Sequence, residues 1–180
     1  MTGVQTCALP IYASLYSTDF RASERLFANL MQVSGRAGRA DQPGRVLIQT
    51  EFPQHPLYAA LKRQDYAEFA KAILDERKQA GLPPYAHQAI LRAEALSVDM
   101  AIGFLRKAAR CTSAAVSGVT VFDPVPAYMA RLAGKELAQL TVQSRSRGAL
   151  HKFISDWEPK LEKLADPKVR WAFDIDPLDS

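Results

Sequence analysis

Ala89-Ile-Leu-Arg-Ala-Glu-Ala-Leu-Ser97-Val-Asp-Met-Ala-Ile-Gly-Phe-Leu-Arg-Lys-Ala-Ala109 changes its apolar period part-way along. Up to Ala95 the small and branched residues Ala89, Leu91, Ala93 and Ala95 recur at every second position, which predicts a half-buried strand. After Ser97 the spacing becomes helical. Val98, Ile102, Leu105 and Ala109 share one face, and the Ser97 hydroxyl is placed to accept from the first free backbone N–H groups. A strand and a helix that bury matching faces need further layers to cover them.

The sequence downstream supplies those layers. Val119 to Phe122 and the alternating Ala138, Leu140 and Val142 predict two more strands. Ser146 is placed to cap a second helix carrying Leu150, Phe153, Ile154, Trp157 and Leu161. Val169, Trp171, Phe173 and Ile175 then alternate with Arg170, Ala172, Asp174 and Asp176, a final strand. Pro159 falls inside the second helix and predicts a break near Glu158. The order β-α-β-β-α-β is that of a ferredoxin-like split βαβ unit, an α+β domain.

Upstream, Gly81-Leu-Pro-Pro84 ends a helix and marks a domain boundary. Before it, Pro56 opens one short helix through Arg63, and Tyr66, Phe69, Ala70, Ile73 and Leu74 stripe another. Earlier still, Leu26, Leu30, Val33 and Ala37 place one apolar face on a helix from about Arg21 to Arg39. Asp41-Gln-Pro-Gly44 is a turn, and Arg45 to Thr50 reads as a short buried strand. Helix, turn and strand together read as the closing unit of a layered α/β sheet. The first part is thus α/β and the second α+β.

The segment with chemical content is Gln32-Val-Ser-Gly-Arg-Ala-Gly-Arg39. At 100° per residue Gln32, Arg36 and Arg39 fall on one face, opposite the apolar stripe. Gly35 and Gly38 beside them carry no side chains, so a backbone or a phosphate can approach closely. Arginine keeps its charge, and its planar fork binds phosphate oxygens bidentately.

Composition bounds the alternatives. The chain has 180 residues, 48% of them apolar and 23% charged, which is a globular balance. No run approaches the ~20 apolar residues of a membrane span. A net charge of +4 permits a polyanionic partner without requiring one. Cys7 and Cys111 stand far apart with no metal-ligand spacing, which fits a reducing cytoplasm rather than a zinc site or a disulfide framework. His55, His87 and His151 have no partner constellation and read as surface or capping residues, while Trp157 and Trp171 read as core. Asp174 and Asp176 share a strand face as solvated carboxylates. Met1 to Ile11 fit nothing downstream and resemble translated sequencing-adapter sequence, so the natural protein is expected to extend further upstream.

Asp19-Phe-Arg-Ala-Ser-Glu-Arg25, the Gln32–Arg39 motif and Pro43-Gly-Arg-Val-Leu-Ile-Gln-Thr50 resemble, in order and spacing, the closing motor segment of the PriA helicase family. Further matches are Glu76-Arg77 ahead of Leu82-Pro-Pro-Tyr85, Pro124-Val-Pro-Ala127 and Trp171-Ala-Phe-Asp-Ile-Asp-Pro177. The resemblance runs from about Tyr12 to Ser180. It implies an adapter-derived tail over 1–11, the end of a second RecA-like helicase lobe with motif VI over 12–54, a helical connector over 55–84 and a PriA-type C-terminal domain over 85–180.

The same resemblance implies an ATP-dependent 3′ to 5′ DNA helicase that recognises stalled replication forks and restarts replication through primosome assembly. Arg39 is then the arginine finger, Arg36 a second γ-phosphate contact and Gln32 the nucleotide sensor. Asp19, Arg21, Glu24 and Arg25 support that helix. ATP and Mg2+ are bound mainly by a preceding lobe, and the family's zinc module has no ligands in this chain, so the fragment alone is not expected to hydrolyse ATP. Implied partners are forked or single-stranded DNA, the acidic tail of single-stranded-DNA-binding protein and other primosome proteins. Arg147 is the first contact expected for that tail, with Arg145 and Lys152. The sequence departs from the family at Gly134-Lys-Glu-Leu137, where relatives carry an aromatic and a second basic residue at Glu136 and Leu137, and at Asp123, commonly glycine. Nucleic-acid contact there rests on Arg131 and Lys135. The alternative is a non-catalytic module whose ferredoxin-like domain grips nucleic acid or a protein tail.

Overall fold

The structure, a computed structural model, describes residues 15, 19–37, 46–112, 118–132, 134–164 and 166–177. It divides into two compact units, 1–76 with 179–180, and 77–178.

In the first unit, α1 (Ala22–Ala37), α2 (Pro56–Arg63) and the start of α3 (Tyr66–Ala80) gather their apolar faces. Leu26, Phe27, Leu30, Leu57, Tyr58, Leu61 and Phe69 form the core. Phe27 and Phe69 stack at 4.2 Å between ring centroids, and Phe27 is a core residue that the stripe of every third and fourth position passes over. The α3 stripe is narrower than expected: Phe69 is buried, whereas Tyr66 and Leu74 are exposed. His55 caps α2, its Nδ1 accepting from the Leu57 N–H at 3.2 Å.

The strand expected over Arg45–Thr50 does not form across the described Val46–Thr50. Leu47 is 81% exposed, and only Ile48 packs against the core. An isolated apolar run becomes a strand only beside a ladder partner, and none of the described residues of this unit is a strand. Gly38–Arg39 and the turn Asp41–Gly44 lie outside the described residues.

The second unit is a mixed α/β layer built on one antiparallel sheet. Its strands are β1 (His87–Ala95), β2 (Val119–Val121), β3 (Val125–Leu132), β4 (Lys135–Ser144) and β5 (Arg170–Ile175). The order across the sheet is β2-β4-β1-β5, with β3 also paired to β4. Helices α4 (Val98–Arg110) and α5 (Arg147–Leu164) cover one face. Ser97 caps α4 by accepting from Met100 N–H at 3.4 Å, and Ser146 caps α5 through Ala149 N–H at 3.3 Å, both as expected. Leu91, Leu105, Leu140, Val142, Leu150 and Trp157 meet between the layers. Buried Trp157 donates from Nε1 to the Ala108 carbonyl at 3.0 Å, which settles its one polar atom and ties α5 to α4.

Three expectations need correction here. The second domain contains an additional strand: β3 follows β2 along the same edge of β4, with Val125 opposite Gln139 and Val119 opposite Ser144. Pro124 and Pro126 concealed it, yet proline is tolerated on an edge strand because one side of its backbone needs no ladder partner. Second, α5 continues through Pro159. Ser155, whose carbonyl loses its usual partner, is exposed, so water can satisfy it. Buried Phe153, Trp157 and Leu161 hold the helix on both sides of the proline. Third, Ile90 is fully buried on the face of β1 away from the helices, so β1 is covered on both faces at that point. The Gly81 turn reaches this face, where Gln143 Nε2 donates to the Gly81 carbonyl at 3.0 Å and Gln143 Oε1 accepts from Gln88 Nε2 at 2.7 Å.

Gly103 lies inside α4, and a Cβ built there meets no atom within 4 Å. Gly103→Ala is expected to raise stability by about 0.5–1 kcal/mol, because alanine removes backbone entropy from the unfolded chain without a clash. Urea unfolding of the chain checks this; an unchanged or lowered midpoint contradicts it.

Candidate functional site

The first candidate surface is the solvent side of α1. Its entry is fixed by Asp19, which is 9% exposed. The Arg21 N–H donates to Asp19 Oδ1 at 2.9 Å, and the Arg25 guanidinium closes on Oδ2. The Asp19 carbonyl meanwhile accepts from Ala22 N–H at 3.0 Å. One residue therefore anchors both the turn before the helix and the helix's second turn. The Arg21 guanidinium lies 5.3 Å from the Phe20 ring centroid, a cation–π contact.

Along α1, Leu26 and Leu30 point into the core, while Gln32 and Gly35 are exposed. Ser34 satisfies its hydroxyl internally by donating to the Leu30 carbonyl at 2.7 Å. No atom lies within 4 Å of the place a Gly35 Cβ would take. Arg36 follows Gln32 by one turn on the same helix, with its side chain outside the described part, and Arg39 lies outside the described residues. The surface thus offers an exposed amide beside an open glycine, at the start of the arginine-bearing turn.

The second candidate surface is the start of α5. Ser144 is buried; its hydroxyl donates to the Gly118 carbonyl at 2.6 Å and accepts from Ser146 N–H at 3.1 Å. This fixes the turn from which exposed Arg145 and Arg147 project. Arg147 Nη2 stands 3.9 Å from Asp176 Oδ2. Lys152 lies five residues beyond Arg147, about 140° round the helix, and pairs with Asp156 at 3.0 Å. It does not share the Arg147 face. Lys135 lies 3.8 Å from Glu94, and the Arg131 backbone pairs with Glu136. Because β4 runs from Lys135 to Ser144, Lys135 stands about 30 Å from the α5 start at strand rise. The five candidate residues therefore divide between the two ends of β4, with Lys152 on another face of α5 from Arg147. Asp174 is not simply solvated; it pairs with Arg92 at 3.0 Å across the β1–β5 ladder. Among the described residues no group of three or more His, Cys, Asp or Glu is placed to hold a metal ion.

Comparison with known proteins bears on both surfaces. The family described as Primosomal protein N C-terminal domain matches residues 78–178. The chain belongs to this PriA C-terminal domain family. Proteins named Replication restart protein PriA are similar over nearly the whole chain: that of Haemophilus influenzae is 40% identical over 169 residues, covering 93% of this chain and 23% of the relative. That of Synechocystis is 34% identical over 166 residues, covering 89% of this chain and 19% of the relative. That of Bacillus subtilis is 29% identical over 169 residues, covering 91% and 21%. This PriA-family chain therefore spans about a fifth to a quarter of the length of these relatives.

The anchoring role of Asp19 in this PriA-family chain is testable. Asp19→Ala removes the carboxylate that receives Arg21 N–H and the Arg25 guanidinium and is expected to cost about 1–2 kcal/mol. Arg25→Ala is expected to cost less, under about 1 kcal/mol, because that guanidinium is half exposed and water screens its charge. Denaturant unfolding of the two variants checks the order, and equal losses would contradict it.

Proposed function

We propose that the chain is the C-terminal part of a replication-restart DNA helicase of the PriA type. One observation carries this reading. The 40% identical relative named Replication restart protein PriA matches over 169 residues, 93% of this chain, a span that necessarily includes both Gln32–Arg39 and strands β1 to β4. The finer fold reading belongs here too: α1 closes a RecA-like lobe, and the second unit is a ferredoxin-like domain enlarged by β3. The β2-β4-β1-β5 order with antiparallel neighbours supports the latter.

In this reading the intact protein couples ATP hydrolysis to 3′ to 5′ unwinding at stalled forks, in the cytoplasm, and starts primosome assembly. Bound ATP supplies the phosphoryl group, and the donor set here suits it: Arg39 and Arg36 neutralise charge at the γ-phosphate, and Gln32 senses the nucleotide. Mg2+ and zinc would be held by other parts of the intact protein. Arg147 and Arg145 take the acidic tail of single-stranded-DNA-binding protein, with Lys152 on the neighbouring face. Arg131 and Lys135 contact DNA phosphates, which position rather than specify.

In the intact protein, Arg39→Ala is expected to lower DNA-stimulated ATP hydrolysis by about 10³-fold or more while ATP binding and folding persist. Steady-state hydrolysis and nucleotide-binding titrations measure this. Turnover at the wild-type rate removes the finger role, and loss of ATP binding reassigns the residue to the ground state.

A further inference from the structure

Strand β5 ends the sheet on its side: it pairs with β1, and no described strand lies beyond it. Such an edge carries a row of main-chain donors and acceptors that another strand can take up. The register fixes which residues own that row. Asp176 N–H donates to the Gln88 carbonyl at 2.9 Å, and Asp174, Ala172 and Arg170 continue the same pairing opposite Ile90, Arg92 and Glu94. Main-chain direction alternates along an antiparallel strand, so Trp171, Phe173 and Ile175 turn their N–H and C=O groups outward. The other edge of the sheet is blunted by Pro124 and Pro126 at the start of β3.

The sequence of this edge is complementary to itself. About Ala172 as centre, Arg170 matches Asp174, Lys168 matches Asp176, Trp171 matches Phe173 and Val169 matches Ile175. Two antiparallel copies related by a two-fold axis at Ala172 therefore bring each cation opposite a carboxylate and each apolar residue opposite another. Trp171 of one copy and Phe173 of the other exchange both main-chain hydrogen bonds. Ala172 and the Arg170–Asp174 pairs fall at the narrow positions between those bonds, where Cα atoms approach to about 4.5 Å. A small residue suits the axis, and the narrow pairs bring the charged side chains closest. Arg170 and Lys168 are exposed and make no ion pair among the described residues. Asp174 holds Arg92 at 3.0 Å through Oδ2, and Asp176 stands 3.9 Å from Arg147, so each carboxylate keeps room for a second donor. Charges on edge strands commonly keep edges apart; here the two halves of the strand carry opposite signs, and the same charges match.

We propose that β5 pairs with β5 of a second copy of this chain, giving one continuous antiparallel sheet across a two-fold axis at Ala172. The contact is a single short strand, so the association is weak and reversible. It involves no residue of α1 and no nucleotide, and it stands whether or not the motor reading does.

Sedimentation velocity of the 180-residue chain over a dilution series is expected to show a reversible monomer–dimer equilibrium. With Cys7→Ser and Cys111→Ser as background, Ala172→Cys should form a disulfide-linked dimer about tenfold faster or more than Arg106→Cys, an exposed site on α4, because only the former brings its two thiols within bonding reach. Arg170→Asp and Asp174→Arg each set like charges opposite one another in the pair of copies, and each alone should weaken the dimer by about tenfold or more. Mixed together, the two variants present opposite charges in both pairs and should form a heterodimer. Thermal melting shows which variants fold; if Asp174→Arg does not, since Asp174 also holds Arg92, the cross-linking comparison decides. A chain that stays monomeric up to about 1 mM overturns the proposal. So do equal cross-linking rates at the two sites, or folded charge variants that dimerise alone or fail to pair when mixed.

Discussion

The β1–β4 ladder is the constraint on which the second unit depends. All nine residues of β1 pair with β4, from His87 opposite Ser144 to Ala95 opposite Glu136. Side chains alternate with period two, so this register alone decides which residues meet the helices. Ala89, Leu91, Ala93, Ala138, Leu140 and Val142 fall on the helix side, and all are buried. A slip of one residue would expose them and turn Arg92, Gln139 and Glu94 toward Trp157 and Leu105. Small alanines on the strands leave the room that Trp157, Phe153 and Phe104 fill from the helices.

The same ladder explains why some elements were legible in the sequence and others were not. Both helices of this unit carry a serine cap followed by a regular stripe, and local chemistry suffices to place such helices. β3 carries no such signal. Its prolines argue against a central strand, and only the free edge of β4, a property of the assembled sheet, makes it one. Val46–Thr50 shows the converse. Its apolar run reads as a strand, but strands are made by neighbours, and without a ladder Val46 and Leu47 face solvent. Pro159 likewise depends on context: its local cost is offset because the packed turns on either side hold the helix while the freed carbonyl meets water.

The candidate sites divide in a similar way. The face of α1 follows from helical spacing, since burial of Leu26 and Leu30 leaves Gln32 outward on any helix through these residues. The anchor made by Asp19 was visible only as a motif, and its geometry adds the cause: one buried carboxylate receives both a backbone N–H and a guanidinium. The separation of Arg131 and Lys135 from Arg145 and Arg147 was not legible. It depends on how many residues of β4 lie between the hairpin and α5, and no pattern of charges along the chain reports that distance.

Two glycines, one in each unit, follow the same physical logic. Gly35 and Gly103 each lie within a helix, and at both a Cβ would meet open space. Neither is a cap or a turn, so the helix gains nothing from them, and each costs roughly 0.5–1 kcal/mol relative to alanine. Each is followed in its helix by a basic residue: Arg36 one position after Gly35, and Lys107 one turn after Gly103. By contrast Gly81, Gly118 and Gly134 have positive φ and answer to the backbone alone. That difference in φ separates the two kinds of glycine: Gly81, Gly118 and Gly134 end a helix or turn the chain, whereas Gly35 and Gly103 keep ordinary helical backbone.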